Sequence, residues 1–505
     1  MRSKNIFKNV LASMSLQVVS IICGLILPRV IIQSYGSEVN GLVASIVQFL
    51  SFISLLDGGI GLIIKAALYK PIAANNQKEI NKILYSSQKF IRRIVLVFLI
   101  YLIGLCVFYP QIFSKDFDRV FTIILIIVLS ISSISEYLFG MVYRLFIEAK
   151  QRFYIISVIQ MAVIILNTII SVTLINLGAN IQIVKLSTAF LYLLKSITIC
   201  IYAKKKFNLN IKEGKSDYKL RDRWSGLMQH TAFVIHDNTD VVVLTFFSNA
   251  KEISVYSVYQ IVIVGIKGVI QSFSNGLDSI FGEMFAKDER KNLKEKLLYY
   301  EMTYFTIITI IFACAFSLIT PFVVMYTAGI HDANYDRQLF GYIMILAEFM
   351  WAVRQPYGAL VASVGHFKET KNGAIIEAVL NAVISIALVV PLGIVGVAIG
   401  TLCAMAFRTF DFIIYTAKHI LLRDTKNTIL HIVFSIIQIA IVFVLFTLLT
   451  NVIPMVAHNW IIGAICCTII ATFVVCIFNI LAWPKEAKAT FCYIAKKIKG
   501  EKNDM

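Results

Sequence analysis

Apolar runs long enough to cross a bilayer follow one another along the whole chain, and this limits the possible folds more than any other feature. A lipid core offers no partner to an unpaired backbone amide or carbonyl, so a span needs roughly 20 residues of internally bonded helix. Fourteen candidate spans are read at about 8–33, 40–64, 94–109, 120–147, 154–177, 181–202, 226–247, 253–283, 300–326, 339–363, 373–390, 394–417, 429–453 and 460–482. They consume nearly every residue, which leaves no extramembrane domain for separate chemistry. A chain with 58% apolar and only 15% charged residues is not a soluble multidomain protein. The expected fold is an all-α polytopic membrane protein with about 14 transmembrane helices.

The spans also repeat. Leu166-Asn167-Thr168-Ile169-Ile170-Ser171 reads against Leu380-Asn381-Ala382-Val383-Ile384-Ser385, an offset of 214. Lys82-Ile83-Leu84-Tyr85 meets Lys296-Leu297-Leu298-Tyr299 in the same register, and Phe153 meets Phe367. One residue of slippage later, Lys195 meets Arg408 and Tyr202 meets Tyr415. Each match is weak alone; the shared register carries the inference. Six spans per copy is an even number, so the copies are parallel repeats about an axis along the membrane normal, a common transporter construction. The expected organisation is a six-helix lobe over 1–223, a second over 224–428, and two extra helices with a basic tail over 429–505.

The net charge of +18 would suit nucleic acid, but its placement argues against that. With the N-terminus placed inside, alternate loops hold about 37 Lys and Arg on the inner side and about four on the outer: Lys115, Arg119, Lys251 and Arg337. Such asymmetry orients membrane proteins, and the basic face meets anionic headgroups. Both termini are expected in the cytoplasm. The first apolar stretch is too long for a signal peptide and lacks a small-x-small cleavage site, so it reads as an uncleaved span. The tail from Lys485 to Lys502 has the pattern of an interfacial helix. The nine Cys show no C-x-x-C spacing and read as buried small hydrophobes.

Charged residues inside the spans mark function, since each costs about 2.5–3.5 kcal/mol to insert near the bilayer centre. Lys267 lies close to the midplane of span 8. Arg354 sits in the inner half of span 10, and Lys195 and Arg408 occupy equivalent places in spans 6 and 12. Arg29 follows Pro28 near the outer end of span 1. These five are the candidate substrate-binding cations; for Lys195 and Arg408 the competing reading is snorkelling to the inner headgroups. Asp57, His236, Asp240, Glu348 and Glu377 are candidate polar or ion-coupling positions. Arg408 and Asp411 stand at i, i+3, which allows a local ion pair, whereas Glu348 lies too far round its helix from Arg354. Span 7 is the most polar, with His236 and Asp240 on one face at i, i+4. No third and fourth ligand accompany them, so no metal is expected, and no cofactor is implied.

Several stretches resemble the polysaccharide flippase branch of the multidrug/oligosaccharidyl-lipid/polysaccharide exporter superfamily. They are Gly24-x-x-x-Pro28-Arg29, Tyr35-Gly36-x-x-x-Asn40-Gly41-Leu42, and Asn238-Thr239-Asp240-Val241-Val242-Val243-Leu244 followed by Val255-Tyr256-Ser257-Val258-Tyr259. The resemblance implies two six-helix bundles, a central cavity and alternating access in a bacterial cytoplasmic membrane. It implies a polyprenyl-pyrophosphate-linked oligosaccharide as cargo, with membrane lipids and the polymerase and glycosyltransferases of a surface-polysaccharide pathway as partners. The lipid II flippases of that superfamily carry several arginines in helix 1, where this chain has only Arg29, which speaks against a peptidoglycan precursor.

Three functions were weighed. A flippase fits the intramembrane cations, because Arg grips phosphate oxygens bidentately and Lys supplies a point charge. A cation- or proton-coupled drug exporter of the same superfamily would instead use Asp57, Asp240 and Glu377. A membrane polymerase or ligase would need a large outer loop, and the longest, Thr327 to Gln338, has about twelve residues. No G-x-x-x-x-G-K-[ST] loop supports an ATP-driven pump. The expectation is a transporter and not an enzyme.

Overall fold

A computed structural model describes residues 2–57, 59–214, 227–274, 290–453 and 459–484. All regular structure among them is helical. In chain order the helices are α1 (Arg2–Ser51), α2 (Ile53–Asp57), α3 (Ile60–Ala73), α4 (Gln77–Phe108), α5 (Arg119–Ser135), α6 (Met141–Ala149), α7 (Phe153–Asn176), α8 (Ile181–Phe207), α9 (Leu227–Phe247), α10 (Ala250–Ser274), α11 (Arg290–Tyr326), α12 (Gln338–Val364), α13 (Phe367–Leu392), α14 (Ile394–Thr416), α15 (Lys426–Val452) and α16 (Trp460–Ala482). Among the described residues, eleven helical stretches are long and apolar enough to cross a membrane, and the first of them runs through a kink. α9 and α12 are not among the eleven; they carry His236, Asp237 and Asp240, and Glu348 and Arg354. The molecule is a multi-pass helical membrane protein.

The kink is at Gly36, whose φ of 85° breaks α1 into the two expected spans. The second of these is shorter than expected. It stops at Ser51, and Gly59, with φ 72°, starts α3 in a new direction. The expected basic loop 65–93 is mostly helix instead, because α3 runs on to Ala73 and α4 begins at Gln77. Ile80, Ile83, Leu84 and Ile91 recur at helical spacing and bury one face of α4 against α3, α6 and α8, while its charged residues cover the other.

The chain forms two compact units, one of Met1–Val258 with Gly329–Ala333, the other of Tyr259–Ala328 with Asn334–Met505. In the first, α1 lies along α7, and α8 packs on both α5 and α7. In the second, α14 packs on α12 and α13, and the C-terminal pair α15 and α16 packs on α11. The outward face of α16 shows its solvent: Ile461, Ile465, Ile469 and Phe473 are exposed at i, i+4 spacing, a stripe suited to lipid and not to water. Two sequence expectations fall outside the described residues: the boundary at 223/224 and the tail helix over 485–502.

Turn contacts respect the sidedness read from charge. The Tyr35 hydroxyl donates to the Ala179 carbonyl at 2.5 Å, and both turns belong to the low-charge side. The Ser37 amide and hydroxyl donate to Asp332 at 2.6 and 2.7 Å, again on that side. On the basic side, Asn9 donates to the Gln151 carbonyl at 3.1 Å and accepts from the Tyr154 amide at 2.9 Å.

Candidate functional site

Four of the five candidate cations, Lys195, Lys267, Arg354 and Arg408, are paired with carboxylates. In the first unit, Glu136 opens a single π-helical turn, Glu136–Gly140, between α5 and α6; such turns displace side chains from the regular helical register. Lys195 of α8 approaches one Glu136 oxygen at 2.9 Å and Arg144 of α6 the other at 3.0 Å. The Ser196 hydroxyl adds a donor at 3.4 Å. Arg144 continues to Glu148 at 3.7 Å, which also pairs with Lys65 at 3.2 Å. Arg144 thus belongs to a helix and its charge to an ion-pair chain, although its sequence position suggested an inner loop.

The second unit repeats the motif with other residues. Glu377 of α13 bonds Arg354 of α12 through one oxygen, and Arg408 of α14 lies 3.6 Å from the other. Arg408 is only 2% exposed. It donates to Asp411 at 2.6 Å and to the Thr370 carbonyl at 3.0 Å, and its guanidinium lies 4.0 Å from the centre of the Phe412 ring. The i, i+3 pair legible in the sequence is therefore one link of a four-residue chain. A Cβ at Gly373 would strike both Arg408 and Asp411, so the chain needs a glycine on the facing helix. Lys267 of α10 pairs with Glu348 of α12 at 3.4 Å and lies 4.9 Å from the Trp351 ring centre. Glu348 thus serves a cation 81 residues away.

A carboxylate held between two cations offsets the cost of burying each charge. Arg29 is half-buried on α1. Asp57 ends α2, and its side chain lies outside the described residues.

The polar cluster of α9 faces protein. His236 and Asp240 are buried, and the Tyr256 hydroxyl donates to Asp240 at 2.9 Å. Asn238 accepts from Gln48 and Ser51 of α1. Further along the same seam Ser45 and Thr245 share a hydrogen bond of 2.6 Å, and Asn40 donates to Ser254 at 2.8 Å and to Ser257 at 3.1 Å. Gly41 permits this approach, since a Cβ there would overlap the Ala250 carbonyl. Small residues and polar side chains are what hold helices together where both alternatives are apolar. Two of the stretches that carried the family resemblance, those around Asn40 and from Asn238 to Tyr259, meet at this seam.

Sequence reasoning noted Glu136 as acidic but did not single it out, and it did not use Asp332 or Ser37.

No protein-family model matches the sequence, and no curated protein matches it. Solved structures do. The chain is similar to the lipid II flippase MurJ in an inward closed conformation, at 16% identity over 94% of this chain and 98% of that one, with a TM-score of 0.71. It is also similar to an inward-facing multidrug resistance MATE transporter of the MOP superfamily, at 14% identity over 83% of this chain and 99% of that one, TM-score 0.60. The outward-facing form of a MATE transporter of that superfamily gives 0.55 at 14% identity over 82% and 95%. The chain has the fold shared by the MurJ and MATE transporters.

Proposed function

We propose that the protein is a flippase that moves a polyprenyl-pyrophosphate-linked oligosaccharide from the inner to the outer leaflet of a bacterial cytoplasmic membrane by alternating access, for surface polysaccharide synthesis. The observation that carries the reading is the bracketing of Glu136 and of Glu377 by two cations from inside apolar helices. A pyrophosphate bears more charge than one carboxylate and offers several oxygens to the same guanidinium and ammonium groups. It takes the carboxylate's place while bound and returns the cations to it on release, so the cations keep an anionic partner at both stages. Arg354 and Arg408 supply the forks; Lys195 and Lys267 supply point charges. The fold of a lipid II flippase over nearly the whole chain supports a lipid-linked cargo.

A second reading, a cation- or proton-coupled drug exporter, draws on Asp240, buried beneath Tyr256, and on the likeness to the MATE fold. Complementation separates the two. Expression in a strain lacking its polysaccharide flippase is expected to restore surface polysaccharide, and Lys267→Ala, Arg354→Ala and Arg408→Ala at matched expression are expected to lose it. Failure to complement, combined with new resistance to cationic drugs, would replace the flippase with the exporter.

A further inference from the structure

The turn between α6 and α7 gathers positive charge that no described carboxylate balances. The Lys150 ammonium lies 5.8 Å from the ring centres of both Phe146 and Phe207. The Arg152 guanidinium lies 5.3 Å from the same Phe207 ring. Gln151 between them is left-handed, φ 57°, a conformation that a residue with a Cβ adopts only when its surroundings enforce it. The end of α6 imposes it here, with the Gln151 and Arg152 amides donating back to the Glu148 and Ile147 carbonyls, and Asn9 grips the Gln151 carbonyl and the Tyr154 amide. Both cations are half-buried, and no described carboxylate pairs with either. Glu148, the acid nearest in sequence, is taken by Lys65 and Arg144. Burial pushes the Lys150 ammonium below its ordinary value, and Arg152 pushes it the same way. Lys204, over the Tyr143 ring at 5.5 Å, adds a third cation from the last turn of α8.

The place is the membrane boundary. One crossing helix ends at Ala149, the next begins at Phe153, and α8 ends at Phe207. Charge counting puts these ends on the inner side. Aromatic rings beneath cations at that level are typical of the headgroup layer. We propose that Lys150 and Arg152, gathered on Phe207, form a binding site for the phosphodiester of an anionic phospholipid headgroup of the inner leaflet. Arg152 supplies two parallel donors and Lys150 a point charge to one phosphate, while the acyl chains follow the apolar flanks of the helices. The site is separate from the Glu136 and Glu377 clusters, and the assignment stands whether or not the cargo reading does.

The test is native mass spectrometry of the full chain in mixed micelles of phosphatidylglycerol and phosphatidylcholine, with Lys150→Gln/Arg152→Gln and Arg152→Gln as variants. Wild type is expected to retain phosphatidylglycerol over phosphatidylcholine, with affinity falling about tenfold per charge-assisted contact removed and the single variant lying between. Melting in phosphatidylcholine alone checks that the variants are folded, and the single variant keeps the test open if the double one is not. Equal retention of phosphatidylglycerol by wild type and a folded variant would overturn the site. Binding of soluble pyrophosphate in phosphatidylcholine micelles, lost in the variants and without any preference for phosphatidylglycerol, would overturn the lipid assignment.

Discussion

Asn40 donates to Ser254 at 2.8 Å, and the two residues stand 214 positions apart, the distance at which the sequence repeats itself. Both residues belong to one compact unit. The residues lie on the low-charge side, in the seam that also holds Ser45–Thr245 and Gln48–Asn238. If the protein works by alternating access, this seam opens when cargo leaves. A cysteine pair at 40 and 254, bridged by a short bis-methanethiosulfonate reagent that forms a disulfide to each thiol and releases sulfinate, is expected to arrest transport, and reduction to restore it. Undiminished transport by a fully cross-linked population would remove the seam from the moving parts.

Glu377 balances two arginines, so its removal is expected to cost more than the loss of either partner. Glu377→Ala leaves Arg354 and Arg408 facing each other, and removing one side of a buried pair typically costs about 3–5 kcal/mol. Thermal melting in detergent checks this. Replacing Glu377 and Arg354 together by Leu should recover part of the loss, as coupled neighbours do; simple additivity of the two single losses would show that they are not coupled.

Arg423 anchors the C-terminal helices. It donates to Glu301 through both terminal nitrogens, one at 2.8 Å, and the Tyr357 hydroxyl donates to the same carboxylate at 2.6 Å. Burial lowers the Arg423 pKa, but the bonds and charge of Glu301 outweigh it and hold the group above its ordinary value. A raised basic group gives its full stabilisation below the unfolded value and loses it only as pH rises through the folded one. Arg423→Ala is therefore expected to lower the melting temperature equally at pH 7 and pH 9. A gap that narrows at pH 9 would contradict a permanently charged clasp.

Asp332 caps the second half of α1 by accepting from the Ser37 amide and hydroxyl. Asp332→Ala is expected to cost about 1 kcal/mol, as lost caps do, and to speed hydrogen exchange at the Ser37 amide while leaving α7 unchanged. Unaltered exchange at Ser37 would show that the cap does not hold the kink.

The spans were legible because lipid forces apolar length, and the gap between the expected spans 373–390 and 394–417 holds Gly393, which turns α13 into α14 at φ 58°. The repeat was legible for a physical reason as well. Ser171 donates to Asn167 and Ser385 donates to Asn381, the same i, i+4 bond 214 residues apart. The helix over 77–93 was obscured by its charges, which occupy only the face turned from the core. Pairing was legible only within one helix, as for Arg408 and Asp411. Lys267 with Glu348, and Lys195 with Glu136, depend on which helices become neighbours, and neither composition nor spacing encodes that.

The most direct test of the account is translocation of a polyprenyl-pyrophosphate-linked sugar in proteoliposomes, read by accessibility of the sugar from outside. Wild type is expected to move this lipid in preference to its monophosphate analogue, and Arg354→Ala/Arg408→Ala to lose transport while retaining its fold. Equal movement of both lipids, or full transport by the doubly neutralised variant, would contradict a path built on exchange between carboxylate and pyrophosphate.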